Sequence, residues 1–455
     1  MKFNTKEELL EYTENIKGKT FREIDSQHLL EQSNLRRRKG LLGQIVESGF
    51  YKYPLNNDSN ADFEELGIEL KVTGYVTNKN GSLRAKERMV LSKIDYNQIV
   101  NETYESSHLL GKCKEMLIIW YQYIPKTDAG DFKITDYQIY DMTQDEDIFK
   151  NDFEIIKQKV INGKAHELSE GDTSYLGACT KAATSKDRTS QPYSEILSKP
   201  RAYSLKNAYM TGILKELKEN PPELINIESS SSVNKTNMKE KTVIDYVNSK
   251  LKPYYGKTQL EILEEITGKT YTEKIPKNIN KIISDKLIGK DNELPEKDEL
   301  FSKTSFIIKN LPINKNNKAI ERMAFKTLQL SDFEEDWEDS YWKNYFEETT
   351  LIVICYEAKN RKIKNGYRTL KFVKQMSFND EDLESFEKTY NRLKEAVEKE
   401  DINLLPTPNS FEGQLLEIAP KGQKGDDAYN NFFKKDKTKV AFMIGKTLLN
   451  DKLNE

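Results

Sequence analysis

Apolar and polar positions along this chain run in blocks whose period changes, and each change marks an element. KEELLEYTENI (6–16) and LRRRKGLLGQIVES (35–48) carry apolar residues at helical spacing. Between residues 67 and 142 the runs GIELKVTGYV, ERMVLSKI, MLIIWYQYI and FKITDYQIYDM are alternating or continuous β-rich stretches of strand length. AYSLKNAYMTGILKELK (202–218) returns to a helical pattern. Helices flanking a central mixed sheet predict an α/β (α+β) unit.

The pattern then starts again. ELKENPPELINIESSSSVNKTNMKEK, about 216–241, has a Pro pair, a Ser run and no apolar periodicity, which reads as a linker. It predicts domains at 1–220 and 242–455 joined by a linker at 221–241. Ile16-Lys-Gly-Lys-Thr-Phe21 recurs as Ile266-Thr-Gly-Lys-Thr-Tyr271, and the stretch from Leu70 returns from Ile308, with Glu87-Arg88-Met89 repeated as Glu321-Arg322-Met323. Tyr104-Glu105 and LIIWY (117–121) are echoed by Trp337-Glu338 and LIVICY (351–356), and Lys206–Met210 by Lys439–Met443. The offsets lie between 233 and 250 and the matches stay collinear, so the chain reads as a duplicated domain. The GKT triplets are not phosphate-binding loops. That motif needs a glycine five residues earlier, where Thr13 and Leu263 stand, and no nucleotide cofactor is implied.

Composition narrows the chemistry. The 455 residues exceed one ordinary core, and 32% are charged. LIVICY is too short to span a bilayer, and the amphipathic start is not patterned as a signal peptide, so no membrane association is expected. Three separated cysteines suit a reducing, cytoplasmic setting, and three scattered histidines without a CxxC exclude the usual zinc arrangements. Any catalytic metal should therefore have oxygen ligands. A net charge of −3 argues mildly against a nucleic-acid coat protein but not against a site-specific enzyme, because binding depends on where Lys and Arg lie.

The candidate chemistry is Asp62, Glu69 and Lys71. On a strand, Glu69 and Lys71 share a face while Ile68, Leu70 and Val72 face the core, and Asp62 can fold back across the turn Glu64–Gly67. Two carboxylates and a lysine suit phosphodiester hydrolysis: Asp62 and Glu69 would hold Mg²⁺, with Leu70 in the metal set, and Lys71 would stabilise developing negative charge. Glu47 is an additional carboxylate. With 74 acidic and 71 basic residues, such a string arises by chance roughly once, so the bare motif says little. The duplication supplies a control: ungapped alignment puts Leu300, Ile307 and Lys309 at the equivalent positions, so both carboxylates are lost while the surrounding framework repeats.

Lys39–Glu47 followed by Asp62…Glu69-Leu-Lys71 resembles the core of the MutH mismatch-repair nucleases, a PD-(D/E)xK-type fold. Glu105-Ser-Ser-His108 with Lys112-Cys-Lys114 is similar to the next MutH segment, which carries a further active-site lysine. Ala165–Gly171, Thr173–Leu176, Cys179-Thr-Lys181 and Gln191-Pro-Tyr193 look closer to the two-domain Sau3AI-type restriction endonucleases. The resemblance implies two tandem MutH-like domains and a Mg²⁺-dependent type II enzyme cutting double-stranded DNA at the palindrome GATC. Either Lys112 or Lys114 would face the site. Lys181, Arg201, Tyr203, Ser204 and Lys206 would face DNA, with Lys421 and Lys424 in the second, non-cutting effector domain. MutH has an Arg-Pro pair where this chain has Cys179-Thr180, which leaves base readout there unassigned. A monomer in solution and a dimer on DNA are expected, since a palindrome needs two active sites and one chain offers one. A methyl-directed nicking nuclease and a non-cutting DNA-binding regulator are the alternatives.

Overall fold

The computed structural model describes residues 2–32, 40–54, 60–78, 81–181, 187–219, 243–271, 275–289, 303–360, 362–421, 426–434 and 437–455. It divides into two compact units, Met1–Val233 and Asn234–Glu455. The expected linker at 221–241 lies outside the described residues.

The first unit contains β1 (Ile68–Thr77), β2 (Leu83–Ala85), β3 (Met89–Lys93), β4 (Glu115–Gln122), β5 (Lys133–Asp141), β6 (Leu176–Thr180), β7 (Thr189–Gln191), β8 (Ser194–Ser198) and β9 (Arg201–Leu205). The main sheet has the order β2-β1-β4-β5, with β1 and β4 parallel and the edge pairs antiparallel. β3, β9 and β6 form a smaller antiparallel sheet, and β7–β8 is a hairpin. β4 is apolar without interruption because both its faces are covered, as expected beside a parallel neighbour. Met116, Ile118 and Trp120 pack against Phe149, Phe153 and the small sheet's Leu176 and Leu205. Leu117, Ile119 and Tyr121 pack on the other face against Leu9, Ile16, Phe21 and Ile45 of the N-terminal helices. Each such side chain contributes about 1.5–3 kcal/mol on burial.

The second unit repeats this plan with β10 (Phe306–Ile313), β11 (Met323–Gln329), β12 (Thr350–Glu357), β13 (Thr369–Met376), β14 (Leu416–Pro420) and β15 (Lys437–Ile444). Its sheets have the orders β10-β12-β13, again parallel then antiparallel, and β11-β15-β14. Leu351, Val353 and Cys355 enter one core, and Ile352, Ile354 and Tyr356 the other. Ser107 caps the helix His108–Cys113, and Ser340 caps its counterpart Tyr341–Glu348. Among the described residues no helix is long and apolar enough to cross a membrane.

Three expectations need correction. First, the counterpart of Gly18-Lys19-Thr20 is Gly256-Lys257-Thr258. Gly18 N–H donates to Ile134 O and Gly256 N–H to Leu370 O, while Thr20 and Thr258 each close a capping box with Glu23 and Glu261. Gly268 instead ends the helix Gln259–Thr267 in the left-handed region, so similar turn chemistry serves another purpose there. Second, Lys439–Met443 lies inside β15, whereas Lys206 follows β9. Met89 pairs with Leu205 and Met323 with Ile444, so Lys206 corresponds to Gly445. Third, Ala202–Leu205 is strand, and the helix begins only at Asn207. These residues lie on the central, wholly buried strand of the small sheet, and that tertiary demand overrides local pattern.

Glu47 sits on a helix with a wide turn, Leu41–Gln44 in α form continuing as π-helix over Ile45–Phe50. Gly49 lets this turn pass the preceding segment, since a Cβ there would lie 2.6 Å from Ile24 O. Gly49→Ala should therefore lower stability by about 1–3 kcal/mol. Gly43→Ala, whose Cβ would meet nothing within 4 Å, should be neutral or stabilising by up to about 1 kcal/mol. Urea unfolding of the two variants measures the contrast.

Candidate active site

β1 carries the site because the residues before it turn the chain back on itself. Glu64–Leu66 form a single 3-10 turn closed by Gly67 at φ 65, a conformation glycine adopts without steric cost. Phe63 and Ile68 exchange backbone hydrogen bonds across that turn, which sets Asp62 alongside the strand. Its Oδ2 accepts the Leu70 N–H at 2.9 Å. Ile68, Leu70 and Val72 pack with Phe63 and Leu117, leaving Glu69 and Lys71 on the opposite face. That face is not solvent: Glu69 is 4% exposed.

The Glu69 carboxylate is the centre of the group. Lys71 Nζ lies 2.8 Å from Oε1, and Lys112 Nζ, from the helix His108–Cys113, lies 3.7 Å from the same oxygen. Oε2 is buried and has no hydrogen-bond partner among the described residues. Burial pushes Glu47 up to about 7, with Asp62 and Glu69 adding repulsion and Lys112 opposing it. Asp62 is raised for the same reasons, burial first and then Glu69, against the relief given by the Leu70 amide. Burial disfavours the Lys71 ammonium, yet Cys113, Glu69 and Asp62 outweigh it and raise its pKa.

Three mutually repelling carboxylates and an orphaned buried oxygen fit a hard divalent cation. Among the described residues no three His, Cys, Asp or Glu side chains close into a tight ligand cluster. Asp62, Glu69 and Glu47 are accordingly near enough to shift one another without forming a finished cage. Leu70 contributes packing through its side chain, so the only metal donor it offers is its carbonyl oxygen.

Of the two candidate lysines, Lys112 faces Glu69, while Lys114 caps that helix and is exposed. Lys114 is not part of the group. Arg201, Tyr203, Ser204 and Lys206 are also not displayed to solvent. Arg201 donates to Ala178 O at 2.7 Å, Tyr203 stacks on Phe153 at 6.0 Å, and Lys206 reaches Thr173 O. The structural reason is the central position of β9 in its sheet. Lys181, just beyond β6, is exposed, and its N–H donates to Pro200 O at 2.8 Å; Lys421, just beyond β14, is likewise exposed and donates to Lys439 O at 2.9 Å. Lys424 and Leu300 lie outside the described residues.

Sequence reasoning missed the frame beneath this region. Buried Asp152 accepts the N–H groups of Ser174, Tyr175 and Leu176 at 2.8, 2.7 and 2.9 Å, anchoring the segment that leads into β6. Arg88 pairs with buried Glu170 at 2.8 Å. A signal for Asp152 was available: it sits on the apolar face of Glu146–Ile161, between Phe149 and Ile156.

Residues 51–152 match the family described as DNA mismatch repair enzyme MutH. The chain is 33% identical over 408 residues to the type II restriction enzyme Sau3AI of Staphylococcus aureus, covering 85% of this chain and 79% of that protein. It is 28% identical over 215 residues to the DNA mismatch repair protein MutH of Vibrio campbellii, covering 46% of this chain and 92% of that protein. MutH of Vibrio parahaemolyticus gives 27% identity over 215 residues, with the same coverage. A single MutH thus spans about half of this chain, whereas the restriction enzyme runs through most of it, and the chain belongs to the MutH/Sau3AI family of endonucleases.

Proposed function

We propose that this protein is a type II restriction endonuclease that hydrolyses both strands of DNA at a short palindrome, GATC by family resemblance, with Mg²⁺. The observation that carries the reading is the buried Glu69 carboxylate, held by Lys71 and Lys112 with one oxygen unpaired. Asp62, Glu69 and Glu47 would hold the ion. When bound, it supplies a Lewis acid that draws charge from the scissile phosphate. Lys71 would orient the attacking water and stabilise negative charge as it develops on the phosphoryl oxygens. Lys112 adds a second positive charge at the same point. Burial of the group keeps competing water away and strengthens these interactions.

In this reading the second unit engages a further DNA copy as an effector and does not cut, since Ile307 stands where Glu69 does. The protein works in the cytoplasm, as a monomer that pairs on DNA to cut both strands. The repeated second domain disfavours a nicking repair nuclease, which would need only one copy. A non-cutting regulator is disfavoured by the intact acidic group in the first unit.

Incubation of unmethylated plasmid with Mg²⁺ tests the reading: wild type should give discrete fragments and Asp62→Ala none. Open circles alone would identify a nicking enzyme, and gel shifts without cutting a regulator. Lys71→Ala should abolish cutting while DNA binding, followed by gel shift, survives. Lys112→Ala should slow cleavage by about 10²–10³, while Lys114→Ala should cleave within a few-fold of wild type. Removal of residues 238–455 should weaken DNA engagement or activation, and full activity of the shortened chain would refute the effector role.

The Glu47 carboxyl gives a pH signature. Its pKa is raised from 4.5 to about 7, so the folded state holds that proton more tightly than the unfolded chain. The stability it contributes is complete below 4.5 and is lost as pH rises through about 7. In EDTA, the Tm of wild type should therefore fall relative to Glu47→Gln across that window, and Mg²⁺ should restore it. Parallel Tm profiles for the two proteins would remove Glu47 from the site.

A further inference from the structure

The second unit keeps the strand lysine of the site while losing the strand acid beside it. β10 pairs with β12 as β1 pairs with β4, and Lys309 opposite Val353 occupies the position of Lys71 opposite Ile118. Ile307 replaces Glu69. Lys309 Nζ donates to Ala324 O at 2.8 Å and lies 4.9 Å from the centre of the Phe325 ring. Lys421 Nζ donates to the next carbonyl, Phe325 O, at 2.7 Å. Lys326 Nζ contacts Tyr341 Oη at 3.3 Å and sits over the Tyr345 ring at 5.6 Å. Among the described residues none of these three ammonium groups has a carboxylate partner. Lys326 and Lys421 reach solvent, whereas Lys309 is half-buried.

We propose that Lys309, Lys421 and Lys326 form a metal-independent pocket for a phosphate oxyanion, supplied by the backbone of a bound DNA duplex. The first unit arranges acids to accept a cation that would meet a phosphate; the second presents amines that would meet the phosphate directly. Burial, then Lys421 and Lys326, depress Lys309 to about 8, a cost that an anion would relieve. Aromatic faces and backbone carbonyls position the amines but leave their charges uncancelled. The proposal rests on the reading that the second unit engages DNA, and names the chemistry by which it does so.

The test uses the full chain in EDTA, so that a divalent ion in the first unit contributes nothing. A duplex oligonucleotide containing GATC is titrated by fluorescence anisotropy at several salt concentrations against wild type, Lys309→Met, Lys421→Gln and the double variant. Each single substitution should weaken binding about 3- to 10-fold and lower the salt slope by about 1. Inorganic phosphate at millimolar concentration, compared with chloride at equal ionic strength, should raise the Tm of wild type and not of the double variant. Unchanged affinity and slope in the double variant overturn the proposal. A phosphate shift lost without any change in DNA binding also overturns it, by assigning the pocket to free phosphate. Weakened DNA binding in folded variants, shown by a Tm in chloride no lower than wild type, supports it. Failure of the nuclease reading shows separately, as uncut plasmid with Mg²⁺ while the EDTA effects persist.

Discussion

A buried carboxylate has to be compensated, and Glu69 is compensated on one side only. Lys71 and Lys112 take one oxygen, the other has no partner among the described residues, and two further acids crowd the same volume. Taking one partner from such a pair costs about 3–5 kcal/mol, which exceeds the net worth of most surface interactions. The rest of the first unit is arranged to hold this tension: the Gly67 turn returns Asp62, the helix His108–Cys113 delivers Lys112, and the apolar β4 fixes β1 beside it by parallel pairing.

The two units show what happens when the tension is released. Strand order, sheet register and helix caps are retained in the second unit, so none of these depends on the acids. What changes on the strand is that Ile307 stands where Glu69 does, while Lys309 keeps the position of Lys71. The fold and its chemistry are thus separable, and the duplicated chain carries both versions on one scaffold.

Much of this was legible in the sequence, for identifiable reasons. Period-two alternation showed β1, and the continuous apolar run showed β4 as a strand buried on both faces. The Asp62, Glu69 and Lys71 group was legible because turn chemistry and strand alternation are local. Lys112 and Lys114 could not be told apart, since the choice depends on how a one-and-a-half-turn helix docks. Arg201, Tyr203, Ser204 and Lys206, expected to face DNA, are buried for a non-local reason: β9 joins two other strands, and pairing covers it. The repeat registers slipped at Gly268 and Lys439 because short strings match wherever similar turns or strands recur.

The wide turn Ile45–Phe50 sets the angular phase of Glu47 about its helix axis. One residue more or fewer in that stretch rotates everything beyond it by about 100°. Whether the third carboxylate meets the other two is therefore a matter of residue count as much as of residue identity. Glu47 could be lost from the group by a single-codon deletion between Leu41 and Glu47 that left every acidic side chain in the chain untouched.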